Sequence, residues 1–237
     1  MIFQYNFPTT IRFGAGAIKE LPAYLQQNGL SKPLIVTDST VAELPFFKAI
    51  ISDLQQKNIS PVVFCDIHKN PVKSDVYRGT EQWDDTLRDS IIGIGGGAAI
   101  DVARAIVLRV NHREDLFKYD DLIGGDIYVT NEVPPFITVP TISGTGSEVG
   151  RSAIIADDDT HQKKILFSPK LMAKIVFADP LLTIDLPAFI TAATGMDALT
   201  HNMEAFLAKN YHPLCDGIAL EGISLIKDSI VKATRKP

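Results

Sequence analysis

Cysteine is scarce in this chain. Its 237 residues hold two, Cys65 and Cys215, far apart and in unrelated contexts. That leaves no basis for a disulfide framework, so both are read as free thiols of a reducing cytoplasm. Long apolar runs are missing as well: none approaches the roughly 18 residues of a membrane span. The start, Met1-Ile2-Phe3-Gln4-Tyr5, lacks the basic head and apolar core of a signal peptide, so neither export nor a membrane partner is expected. Basic residues are outnumbered, 23 against 28, and scattered, for a formal net charge of −5. The electrostatic footprint of a nucleic-acid binder is therefore absent. What is present is a chain 46% hydrophobic, long enough for one large domain or for one domain and part of a second.

The most informative stretch is DSIIGIGGGAAIDVARAI, residues 89–106. A short apolar run over 90–94 reads as a buried strand, Gly95-Gly96-Gly97 as a tight turn, and Ala98 onward as a helix. Glycines at such a junction let backbone approach a ligand with no Cβ in the way. The free N–H groups of the new helix and its dipole then favour an anion such as a diphosphate. A plain strand-to-helix turn is the alternative reading.

Before that stretch, FQYNFPTTIRFGAGAIKEL suggests an N-terminal hairpin that feeds a helix over 17–27, ended by Gly29. An apolar strand over 33–38 ends in Asp38, a helical pattern covers 44–57, and a second apolar run covers 62–64. Strands alternating with helices argue for a parallel sheet. Asp38 has two readings: it can accept both hydroxyl protons of an adenosine ribose and repel a 2′-phosphate, or it can cap a helix. In the common dinucleotide fingerprint the acidic residue follows the glycines by about 20 residues. Here it precedes them, so a different strand order is implied if both touch one cofactor.

After the turn at Asn70-Pro71, a polar helix over 76–88 leads into the glycine stretch. Residues 110–128 read as a charged surface excursion, with His112 a solvated loop histidine. No chemical role is expected of His68 or His161. A buried strand over 136–139 opens into PTISGTGSE, 140–148. Hydroxyls and bare backbone at the end of a strand suit a phosphate or ribose, and they equally suit a flexible loop. Two more strands are expected over 152–156 and 175–177, with Lys163 and Lys164 in the connection, from which a lysine can reach a cofactor. Asp179-Pro180 breaks the pattern, and past residue 185 the strand signal stops. Amphipathic helices over 188–209 and 215–233 follow. The domain division is accordingly 1–185 and 186–237. In the first of these helices Asp197 and His201 share a face, a spacing that holds a divalent metal or makes an ordinary helix contact. His212, beyond the helix, is a poor ligand candidate.

The ordered series TD (37–38), NP (70–71), GGGAAID (95–101), PTISGTGSE (140–148), DP (179–180) and ATGMDALTHNMEAF (193–206) resembles the iron-containing alcohol dehydrogenase family over nearly the whole chain. The resemblance implies a dehydroquinate-synthase-like architecture, an α/β parallel-sheet dinucleotide domain followed by an all-α metal domain that is incomplete here. It implies an NAD ribose at Asp38, the diphosphate at Gly96, Gly97 and Ala98, and further cofactor contacts from Asn70, Thr138, Thr141 and Lys163. Asp197 and His201 match the first two ligands of a divalent metal, Fe²⁺ or Zn²⁺. The chain departs from the family's pattern at Ala98, where serine is usual, and at Ile142, where a second threonine is common. Two further histidine ligands of the family would follow Pro237, so about half of the metal domain is expected.

Two functions follow from this. One is an enzyme that passes a hydride between NAD and a short primary alcohol or aldehyde, with no side chain serving as a nucleophile and therefore no catalytic residue assigned. Glycerol dehydrogenase and maleylacetate reductase relatives belong to the same class. The other is a non-catalytic nucleotide-binding or assembly module. A cytoplasmic homo-oligomer is the expected state.

Overall fold

The computed structural model describes residues 9–235. Strand β1 is Thr10–Phe13, followed by helix α1 at Leu21–Gln27, strand β2 at Pro33–Val36, helices α2 at Ser39–Glu43 and α3 at Pro45–Gln56, and strand β3 at Val62–Phe64. Helix α4 is Lys73–Thr86, strand β4 Ser90–Gly95, helix α5 Gly97–Asn111 and strand β5 Phe136–Pro140. Strands β6, Ser152–Ala156, and β7, Lys163–Phe167, precede β8, Ile175–Ala178; helices α6, Ala188–Leu207, and α7, Pro213–Arg235, end the described chain.

The residues fall into two compact units. Among the described residues, the first runs to Pro140 and includes Ser147–Asp179; the second holds Thr141–Gly146 and everything from Pro180. The first unit is built on a six-stranded sheet in the order β1-β8-β5-β4-β2-β3, with every pairing parallel. Parallel neighbours need crossovers, and helices α2 to α5 supply them. The central strands β2, β4 and β5 are buried along their whole length. That explains why they read as nearly continuous apolar runs rather than alternating ones. Ile91, Ile92 and Ile94 of β4 are fully buried, each contributing roughly 1.5–3 kcal/mol. Helix α5 packs on β4 and β2, with Ala99, Val102, Ala103 and Ile106 inaccessible to solvent or nearly so.

In the second unit α6 and α7 pack against one another. A Cβ on Gly195 would meet Ile230 Cδ1 at 2.1 Å, so the helices close on a glycine contact. Ala219 is the buried residue of this pair among the described residues, while Phe189, Leu207, Leu220, Leu225 and Val231 are exposed.

Four expectations are corrected. The described arm of the N-terminal segment, β1, pairs in parallel with β8, and the segment's leading part lies outside the described residues. Residues 163–167 form a strand, antiparallel to β6, where only a connection was expected. Residues 110–128 are not an open excursion: α5 runs on to Asn111, and short 3₁₀ turns bury Leu116, Tyr119 and Asp120. His112 is buried rather than solvated. Its Nδ1 donates to the Leu108 carbonyl at 2.9 Å, and its Nε2 accepts the Asn131 N–H at 3.0 Å. The ring thus satisfies an orphan carbonyl at the end of α5, which needs a partner.

Candidate functional site

Strand register builds the site. Val36 of β2 lies beside Gly93 of β4, and Gly95 lies beside Pro140 of β5. The residues after Val36, Thr37 and Asp38, therefore run level with Ile94 and Gly95. The connection from β2 leads outward to β3, and the one from β4 leads outward on the other side to β5. The sheet's topological switch point thus falls between β2 and β4, where open α/β sheets bind ligands beyond the strand ends. Asp38 and the glycine turn flank that point, although more than fifty residues separate them in sequence.

Gly95 has φ +147°, a conformation that L side chains rarely adopt. A Cβ there would stand 2.8 Å from the Ala99 Cβ, 3.7 Å from Asp38 Oδ2 and 3.9 Å from Thr37 Oγ1. Asp38 both caps and borders the turn: its Oδ1 accepts the N–H groups of Thr40 and Val41 at 2.9 Å each. Its Oδ2 is the oxygen near Gly95. Gly96 caps α5 without a side chain, and no acidic residue occupies the helix's first turn. The N–H groups of this 15-residue helix thus open toward the switch point with no carboxylate of the helix's own first turn to offset their dipole. Thr37 was missed as a single residue. Its hydroxyl is buried and, among the described residues, has no hydrogen-bond partner, which fits a group that completes a ligand's polar contacts.

A second cluster joins two other expected residues. Pro71 O accepts the Ala156 N–H at 2.8 Å, and Ala156 pairs with Lys163. Asn70, one residue before Pro71, and Lys163 are thereby brought to opposite flanks of Ala156. Thr138 is fully buried in β5, and its hydroxyl donates to Glu148 O at 3.1 Å. Thr141 is buried, at the head of the small-residue loop.

The residues behind the glycine turn carry buried charge. Arg104 of α5 is wholly inaccessible. It donates to Leu171 O at 3.2 Å, to Ser152 O at 2.8 Å, to Ser147 Oγ at 3.0 Å and to Ser147 O. Its ion pair with Asp101 measures 3.2 Å. Asp101 also accepts from Ser147 Oγ at 2.6 Å and from Ile154 N at 3.1 Å. Burial pushes the Asp101 carboxyl above its usual range despite those donors, and desolvation lowers Arg104. Burial likewise raises Glu148, with Arg104 pulling the other way. These groups fasten the downstream root of the small-residue loop to α5.

In the second unit, Asp197 and His201 lie one turn apart on α6, with Oδ2 and Nδ1 separated by 3.8 Å. His201 Nδ1 is 3.0 Å from Gly144 O. One carboxylate and one imidazole suit a divalent cation such as Fe²⁺ or Zn²⁺. Among the described residues no third His, Cys, Asp or Glu gathers with them, so the pair fits as part of a donor set.

The site geometry is that of an open parallel α/β sheet with a glycine turn and a carboxylate at its switch point. Comparison with known proteins agrees. The family model described as iron-containing alcohol dehydrogenase matches residues 8–180, and that of the family's C-terminal domain matches 191–237. The chain belongs to the iron-containing alcohol dehydrogenase family. It is 38% identical over 235 residues to a 4-hydroxybutyrate dehydrogenase of Cupriavidus necator, covering 99% of this chain and 60% of the relative. A crystal structure of a 1,3-propanediol oxidoreductase superposes with a TM-score of 0.93 at 32% identity, covering all of this chain and 61% of that one. A sulfoacetaldehyde reductase from Bifidobacterium kashiwanohense, solved in complex with NAD⁺, superposes with a TM-score of 0.89 at 27% identity, over all of this chain and 62% of that one. The chain thus spans about 60% of the length of the relatives it matches. Among the described residues no helix is long and apolar enough to cross a membrane.

Proposed function

We propose that the chain binds NAD with its first unit and contributes Asp197 and His201 to the metal site of a dehydrogenase acting on a short primary alcohol or aldehyde. The observation that carries this reading is the meeting of Asp38 with the Gly95–Ala98 turn at the switch point. The uncapped N–H groups of Gly97 and Ala98 hold the diphosphate, and the negative end of Asp38 accepts the ribose hydroxyls and disfavours a 2′-phosphate. Thr37 supplies a further hydroxyl, while Asn70, Lys163 and Thr138 of the same unit line the remainder of the cofactor's path. A divalent cation, when bound, supplies Lewis acidity toward the alcohol oxygen, and NAD supplies the hydride acceptor. Asp197 and His201 would hold that cation. The relatives named for NAD and for small alcohols or aldehydes support the assignment.

The test is calorimetric titration of the 237-residue chain with NAD. Binding is expected, and Gly97→Val should abolish it while leaving far-UV circular dichroism unchanged, because a branched side chain would occupy the diphosphate's place. Undiminished NAD binding by the folded variant would reduce the glycine turn to a turn. A second reading, nucleotide binding without turnover, is favoured by the two-donor metal set. It predicts NAD binding with no metal-dependent NADH formation from any alcohol.

A further inference from the structure

His201 does not spend its ring hydrogen bond on its own helix. Its Nδ1 lies 3.0 Å from the carbonyl oxygen of Gly144, 57 positions earlier in the chain and within the same compact unit. A carbonyl oxygen only accepts, so the proton between these atoms belongs to Nδ1. Asp197 Oδ2, at 3.8 Å from the same nitrogen, is too distant to replace that bond. Gly144 also approaches α6 closely enough that an added Cβ would crowd the helix. A Cβ on it would stand 2.9 Å from Asp197 Oδ2, 3.0 Å from Thr194 O and 3.3 Å from the Thr194 Cβ. Two of the three nearest atoms are backbone or Cβ of α6, which cannot swing aside.

We propose that Gly144 is a positioning residue for the Asp197–His201 pair: its carbonyl locks neutral His201 as the Nδ1–H tautomer, and its missing side chain leaves the Asp197 carboxylate uncovered. A neutral imidazole in water prefers its proton on Nε2, so the Gly144 carbonyl reverses the ordinary preference. The consequence is a lone pair on Nε2, the form in which histidine ligates metals, with the ring's orientation fixed by the bond at the other nitrogen. The inference rests on the proposed metal role of Asp197 and His201, but its own observable, the position of one proton, exists without metal.

The experiment is long-range ¹H–¹⁵N correlation spectroscopy of the ¹⁵N-labelled full chain, treated with chelator and held at alkaline pH. His201 is assigned by its absence in His201→Gln. The expected spectrum has a pyrrole-like Nδ1 and a bare, pyridine-like Nε2; the opposite pattern overturns the proposal. Gly144→Ala should return His201 to the Nε2–H tautomer and weaken Zn²⁺ binding about tenfold or more, the range seen when a ligand's orienting partner is lost. A folded Gly144→Ala chain with an unchanged tautomer and unchanged Zn²⁺ affinity also overturns it. If that variant does not fold, the parent's tautomer decides alone. Failure of the metal reading looks different: the Nδ1–H tautomer is present, yet Zn²⁺ leaves the His201 Nε2 resonance unmoved. That result would remove the positioning role together with the metal site.

Discussion

Replacing Arg104 with methionine is a sharp test of the packing behind the glycine turn. Methionine keeps an unbranched apolar stem like that of arginine but is shorter and offers no donor. The substitution strips donors from the carbonyls of Leu171, Ser152 and Ser147 and from Ser147 Oγ. It also removes the guanidinium that lies 5.4 Å from the Phe136 ring centroid. Above all, it leaves the carboxylate of Asp101 buried without its cation. Breaking a buried pair by removing one partner costs about 3–5 kcal/mol. For a chain of this size each kcal/mol moves the melting temperature by about 2–4 °C, so a fall of roughly 6–20 °C is expected at pH 7. The deficit should shrink on acidification. Burial already raises the Asp101 carboxyl, and loss of Arg104 raises it further. Between the unfolded and folded values the folded state then binds the extra proton, so the variant's stability falls as pH rises through that window. Thermal melts by circular dichroism at pH 5 and pH 7 measure both effects. Adding Asp101→Asn should recover part of the loss, since a neutral amide needs no cation. A melting temperature for Arg104→Met within about 2 °C of the parent at pH 7 would refute the reasoning.

Three further outcomes are expected. Asp38→Asn keeps an oxygen to cap α2 but removes the charge. The ratio of NAD to NADP affinity should fall at least about tenfold, or about 1.4 kcal/mol, well inside the roughly 4 kcal/mol that unit charges 4 Å apart exchange near a protein surface; an unchanged ratio in paired titrations would sink the ribose assignment. Burial raises Glu148 above its ordinary value of 4.5, so the folded state binds more protons than the unfolded one just above that value and stability declines as pH rises through the folded value. Glu148→Gln should therefore gain on the parent in melting temperature between pH 4.5 and 7, and a gap that narrows over that range contradicts the burial argument. Finally, two donors hold a cation loosely compared with the three or more of a catalytic site. Equilibrium dialysis should find weak Zn²⁺ binding that Asp197→Ala abolishes, whereas tight, stoichiometric binding would reveal a further protein donor.

The strands that carry the site were legible because each is a fully buried, largely apolar run closed by an unusual residue: Asp38 just past β2, glycine at the end of β4, proline at the end of β5. Their adjacency was not. Nothing local to Asp38 says that β2 pairs with β4 rather than with β3 alone, and only that pairing sets its carboxylate beside Gly95. The two readings of Asp38 also prove compatible in geometry, since Oδ1 caps α2 while Oδ2 lies toward the turn. Strand β7 was hidden by Lys163 and Lys164, whose charge masks a short apolar run that becomes a strand only against β6. His112 misled for the same reason: Arg113 and Glu114 beside it signal solvent, while the ring folds back onto the end of α5. Arg104 sits in a helical pattern where arginine ordinarily faces water. Its burial depends on three carbonyls brought together from distant segments, a convergence that has no signature in the local sequence.

The small-residue loop has a consequence for anyone who would take the molecule apart. Thr141–Gly146 belongs with the helical segment that starts at Pro180, 34 positions after it ends, yet the residues on either side of it, Pro140 and Ser147, belong with the sheet unit. The helical unit is therefore discontinuous along the chain, and no single cut releases it whole. A fragment starting at Pro180 would carry Asp197 and His201 but leave behind the carbonyl that His201 meets. Nicking the backbone after Asp179 would still leave the two units tied by the loop's own two junctions. A graft of the α6 donor pair onto another scaffold must bring a six-residue insert from between two strands of a different unit, or supply a new acceptor for the His201 ring.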